Sequence, residues 1–97
     1  SHDLLALSTT DVEVYLAFRV LAESHSRRRG YPHVKAAEIA RALGIHRNTV
    51  YHSVRRLVIR GFIAVHSRGG QQGYRIRFLK DIPDVTMQQR LTERKIR

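Results

Sequence analysis

Cysteine is absent from the 97 residues, which removes disulfides and thiolate metal sites together. No apolar run approaches the roughly 20 residues that a bilayer-spanning helix needs, and no signal peptide opens the chain. A cytoplasmic, nucleoid-associated protein with no membrane role is the expectation. Acidic residues are scarce and unevenly placed. Residues 26–80 hold Glu38 alone against thirteen Lys or Arg, a local charge of +12. Residues 1–25 hold Asp3, Asp11, Glu13 and Glu23 against Arg19, a local −3. The whole chain carries +10. That asymmetry points to a polyanionic partner rather than to a basic surface kept for solubility. Catalytic patterns are missing too. No paired carboxylates share a cleft, no nucleophile has an evident base, and no phosphate-cradling Gly loop opens a helix. The six His lack metal-ligand spacing with carboxylates. The expectation is therefore no enzyme, no cofactor and no metal. No repeat or low-complexity tract is present.

The informative stretch is residues 36–62. A short amphipathic helix ends at Gly44, and a strongly basic helix restarts two residues later. Gly44 allows φ > 0 and a sharp turn between them, and Ile45 drops into the angle. In the second of these helices Val50, Val54, Leu57 and Val58 share one face. The other faces carry Arg47, Asn48, Tyr51, His52, Arg55 and Arg56. A helix entering the major groove needs that division into an apolar anchor and a cationic outer face.

The first helix begins at Ser8, with Asp11 three residues on in a near capping-box arrangement. Val12, Tyr15, Leu16 and Val20, with Phe18 and Leu21, supply its apolar faces, and it fades around Glu23 to His25. Ser24–Gly30 reads as a loop whose Arg27, Arg28 and Arg29 face solvent or meet phosphates. Residues 31–35 are a short extended segment, since Pro32 disfavours helix at Tyr31. The second helix runs from Lys35 or Ala36 to Leu43, with Ile39, Ala40 and Leu43 inward. The basic helix runs from Arg47 to Arg60 and stops at Gly61. Phe62–Ser67 and Tyr74–Leu79 read as two strands joined by a Gly-rich tip, Arg68–Gly73. In the second strand Tyr74, Ile76 and Phe78 face one side, and Arg75 and Arg77 the other. The fold class is thus mainly α with a small antiparallel β-hairpin. Residues 81–97 have a different character. Asp84 caps a thin final helix with Met87 and Leu91, or the segment is a dimerisation element, a linker or a basic tail. The sequence does not choose. Ser1 and His2 are given no role.

The order of elements over about residues 8–80 resembles the winged helix-turn-helix fold of MarR-type and GntR-type bacterial and archaeal regulators. It is also similar to winged-helix modules of plasmid replication proteins. The residues that carry the likeness are Ala37-Glu38-Ile39-Ala40 with Leu43-Gly44-Ile45, then Asn48-Thr49-Val50-Tyr51, then Leu57 with Arg60-Gly61-Phe62-Ile63. The resemblance implies that Arg47, Asn48, Thr49, Tyr51, His52 and Arg55 face DNA, with Thr49 and Tyr51 on backbone phosphates. It implies that Arg68, Gly69, Gly70, Gln71 and Gln72 form a wing tip that enters the adjacent minor groove. The chain departs from the pattern at the cap of the basic helix, where His46 replaces the common Ser or Thr. A weaker cap follows, and an imidazole aimed at a phosphate.

Arg47 and Asn48 lie in the first turn, where bidentate contacts to guanine and adenine are made. Lys35 and Arg75 are further DNA candidates, and Arg77 shares the outer strand face. Arg56 and Arg60 are either phosphate-facing or salt-bridged. The leading function is sequence-specific binding of double-stranded DNA by a transcriptional regulator, as a homodimer on an inverted repeat. The alternatives are a DNA-binding module of a replication or partition protein, its tail leading to a further domain or partner, and a protein- or RNA-binding winged helix.

Overall fold

Ser8 and Asp11 start the first helix by capping each other. Asp11 N donates to Ser8 Oγ at 3.0 Å, and Ser8 N donates to Asp11 Oδ2 at 3.3 Å. This is a complete capping box, which satisfies two of the helix's free N–H groups. A computed structural model describes residues 7–69 and 73–82. The elements are helices α1 (Thr9–Arg29), α2 (Ala36–Leu43) and α3 (Arg47–Ile59), then strands β1 (Ile63–Gly69) and β2 (Gly73–Phe78).

α1 is longer than its apolar pattern. It does not fade at Glu23–His25 but continues to Arg29, and Gly30 closes it in the left-handed conformation with its N–H on Ser26 O. The expected Ser24–Gly30 loop is therefore two further helical turns. Cationic Arg27, Arg28 and Arg29 sit in the last turn, where the helix dipole favours them. The inward face also differs in part. Val12, Val14, Tyr15 and Phe18 are buried, whereas Val20 is 58% exposed. At about 100° per residue, Val20 lies nearly opposite the arc of Tyr15 and Phe18. Leu16 is half-buried.

The core gathers α1, Ile39 and Ala40 of α2, Val50, Val54 and Leu57 of α3, and Val34, Phe62, Ile63 and Ile82. Leu43 and Ile45 pack against it as the sequence implies. Val58 does not join them; it is 41% exposed, being about 80° around the helix from Val50. The hairpin closes over α1 through edge-to-face ring pairs. Tyr15 meets Phe78 at 5.4 Å and Phe18 meets Tyr74 at 5.7 Å between centroids. Tyr15 Oη also donates to Lys80 O at 2.7 Å. Ile82 is buried just past the boundary placed at Lys80.

β1 and β2 pair antiparallel with Val65 opposite Ile76 and a bulge between Val65 and Ser67. The alternation is as read: Tyr74, Ile76 and Phe78 are half-buried while Arg75 and Arg77 are exposed. The strands reach further towards the tip than expected. Arg68 pairs with Tyr74 and Gly69 with Gly73, so both belong to β1 and not to a loop. Gly70, Gln71 and Gln72, the remainder of the expected tip, lie outside the described residues, as do the Asp84 helix and Ser1-His2.

A third extended segment pins the hairpin. Val34 and Tyr74 exchange two backbone hydrogen bonds, Val34 N to Tyr74 O at 2.9 Å and Tyr74 N to Val34 O at 2.8 Å. Antiparallel register would next bring Pro32 opposite Ile76. Proline has no N–H, and the bridge stays a single pair. Gly73 lies hard against this joint: a Cβ there would sit 2.7 Å from Val34 C and O.

Candidate nucleic-acid interface

His46 caps α3 with its ring. Asn48 N donates to His46 Nδ1 at 3.1 Å, so the imidazole nitrogen does for this helix what a hydroxyl oxygen does elsewhere. The cap fixes where the first turn of α3 begins, and with it the direction of Arg47 and Asn48.

The phase of α3 then sorts its side chains. Val50, Ser53, Val54 and Leu57 are buried. At about 100° per residue, Asn48, Tyr51, His52 and Arg55 fall on an arc about 100° wide on the opposite side. All four are exposed, as is Arg47 at the helix start. Their side chains make no hydrogen bond or ion pair among the described residues. Thr49 is half-buried. A groove of about 610 Å³ runs from this face to the hairpin, lined by Tyr51, Val54, Arg55, Val58, Val65 and Tyr74 among others. It makes α3 and the hairpin one continuous surface.

The other candidates are dispersed. Lys35 is exposed ahead of α2; its N–H donates to Glu38 Oε1 at 2.9 Å. Arg75 and Arg77 are exposed on the outer face of β2. Arg68 and Gly69 are placed by their backbone pairing in β1.

Arg56 takes the salt-bridged course and is not on the open face. Its Nε reaches Asp11 Oδ2 at 2.9 Å and Oδ1 at 3.1 Å, and its Nη2 reaches Oδ1 at 2.8 Å. Ser53 Oγ donates to the same Oδ1 at 2.7 Å. Asp11 is fully buried. Burial alone would push its carboxyl up. The Arg56 hydrogen bonds, the Ser53 hydroxyl, the Arg56 charge and Ser8 N–H together outweigh burial and hold it below the ordinary carboxylate value. The bond to Asp11 correspondingly raises Arg56.

A second polar joint ties α1 to α2. Buried His25 lies 2.6 Å from Glu38 through Nε2, and Arg28 Nη2 lies 3.0 Å from His25 Nδ1. Arginine only donates, so Nδ1 accepts and Nε2–H donates to Glu38. Burial raises the Glu38 carboxyl, but Lys35 N–H and His25 outweigh it and leave it lowered. Arg29 donates to His33 O at 2.7 Å and stands 4.6 Å from the Tyr31 ring centroid. Arg27 lies 3.7 Å from Glu23.

Sequence reasoning assigned Asp11 only to the cap, gave Glu38 no partner, and passed over Ser53 and the ring of His25. Ser53 carried a signal. Its position between Val50, Val54 and Leu57 puts a hydroxyl on the buried side, where it needs a partner.

The family model for the sugar-specific transcriptional regulator TrmB matches residues 30–78. The chain belongs to the TrmB family. The match spans α2, α3 and the hairpin and begins at the glycine that closes α1. The protein is accordingly a DNA-binding transcriptional regulator built on a winged helix-turn-helix. The likeness to MarR-type and GntR-type regulators holds for the winged helix and not for those families, since the match is to TrmB. Comparisons with curated proteins and with solved structures gave no match. Among the described residues, no helix is long and apolar enough to cross a membrane, and no group of three His, Cys, Asp or Glu is placed to hold a metal ion.

Proposed function

We propose that the protein reads a specific sequence in double-stranded DNA, with α3 in the major groove and the hairpin towards the adjacent minor groove. The observation that carries this is the open face of α3. Arg47, Asn48, Tyr51, His52 and Arg55 are exposed together, in a segment whose charge is +12 over residues 26–80. A cationic helix face with unengaged planar side chains matches what bidentate base reading requires. Arg47 and Asn48 contact base edges, and Tyr51 and Thr49 meet the backbone. Lys35, Arg75 and the residues at 68–72 add phosphate contacts around that centre. Two copies on an inverted repeat follow from the symmetry of duplex DNA.

Selection of bound fragments from a pool of random duplexes tests the reading. A defined motif is expected. On that motif Arg47→Ala or Asn48→Ala should each cost about 1–3 kcal/mol at one base pair and relax the preference there. Variants that bind motif and random duplex in an unchanged ratio would place base reading on another face.

A further inference from the structure

α3 carries two adjacent arginines with opposite surroundings. Arg55 lies on the exposed arc and makes no hydrogen bond or ion pair among the described residues. Arg56 has its fork closed on Asp11, a carboxylate with no exposed surface. That carboxylate belongs to the first turn of α1, where it also completes the cap on Ser8. Ser53, one turn before Arg56, donates to it as well. Three groups from two helices therefore meet at one point, where the carboxylate and the hydroxyl are buried and the Arg56 side chain is half-exposed.

The geometry is directional in a way that apolar packing is not. Val50, Val54 and Leu57 can slide or roll on α1 with small changes in contact, because the hydrophobic effect has no preferred direction. A bidentate guanidinium–carboxylate pair fixes plane and distance together. An ion pair with one member buried contributes little net stability, because desolvation of the carboxylate offsets the attraction; the best-attested use of such pairs is to fix register. Asp11 sits at the shoulder of the buried face of α3, about 100° or more of helix rotation from the centre of the open arc. A roll of α3 about its axis that moved Asn48 would break the fork.

We infer that Asp11, through Arg56 and Ser53, sets the rotational position of α3, and that Arg56 is a positioning residue while Arg55 is the arginine free to meet DNA. This rests on α3 being the reading helix. The chain's charge then divides into a part that displaces counterions and a part neutralised internally. Arg56 contributes specificity and no phosphate contact.

The test uses the whole chain, a duplex selected from a random pool and a random duplex of equal length. Binding is followed by fluorescence anisotropy over a range of salt, at temperatures where circular dichroism shows each variant folded. Arg55→Met is expected to reduce the slope of log affinity against log salt by about one. Arg56→Met should leave that slope unchanged while lowering the selected-to-random ratio by about tenfold, the equivalent of one lost base contact. Arg56→Lys, which keeps the charge and loses the fork, should lower the ratio similarly. Should Arg56→Met not fold, Asp11→Leu with Arg56→Met replaces the pair by apolar groups, a change that folds tolerate, and the same fall in ratio is expected. A slope reduced by about one in Arg56→Met, or a full ratio in the double variant, overturns the assignment. If the unaltered protein shows no preference for any duplex, the reading of α3 fails first, and it fails before a variant is made.

Discussion

At the scale of single residues, Asp11 matters most for its setting. A carboxylate with no exposed surface survives in ionised form only because five hydrogen bonds answer it. Its lowered value has a sign that can be worked out. The group contributes its full stabilisation above the unfolded value, about 3.9, and that contribution drains away as pH falls through the lowered folded value. Glu38 shifts in the same direction and adds to the same acid window. Denaturant unfolding between neutral pH and about pH 3 should show stability falling steeply below about pH 4. Asp11→Asn should lose about 1.5–3 kcal/mol at neutral pH, because the charge-assisted hydrogen bonds from Arg56 and Ser53 are lost or weakened, and should show a flatter acid limb. An Asp11→Asn protein with the wild-type acid profile would place the sensitivity elsewhere.

At the scale of elements, what was legible depended on which force ended each one. α3 and α2 were readable because apolar spacing, a turn glycine and a terminal glycine agree with each other. The alternation in β2 was readable for the same reason. The end of α1 was not. Its last two turns hold no aliphatic residue, and periodicity stops at Ala22. What continues the helix is a buried histidine bonded to a glutamate thirteen residues ahead, a contact that exists only in three dimensions. Three arginines before Gly30 were the available local signal, being cations at a helix end followed by a capping glycine. The open face of α3 was legible in kind, but the division between Arg55 and Arg56 was not, since neighbouring arginines look alike without the partner helix. The hairpin offers its own test. Gly73 has φ +91° and no room for a methyl group beside Val34. Gly73→Ala should cost at least about 1–3 kcal/mol from the backbone conformation alone, more with the clash, and thermal unfolding measures it.

At the scale of the whole molecule, the net charge of +10 overstates what DNA meets. Arg56, Arg19 and Arg27 are paired with acids, and the first 25 residues are net acidic. With on the order of five to eight phosphates neutralised, affinity should fall steeply between low and physiological salt. Arg68→Ala should weaken binding to many sequences and lower the salt slope by about one. Salt-insensitive binding, or an unchanged slope in that variant, would remove the hairpin from the interface. The pairing of Val34 with Tyr74 bears on time as well as on position. It joins residues forty apart in sequence, and α1 is held by partners 45 and 65 residues away. The helical turn of 36–59 and the hairpin need only neighbours and can form early, whereas these distant closures carry the larger entropic cost and come late. A joint made late is absent from the folding transition state. Val34→Ala, which trims the joint on the side outside the hairpin, should therefore speed unfolding and leave the refolding rate nearly unchanged, so that the molecule comes apart first at the seam it closed last.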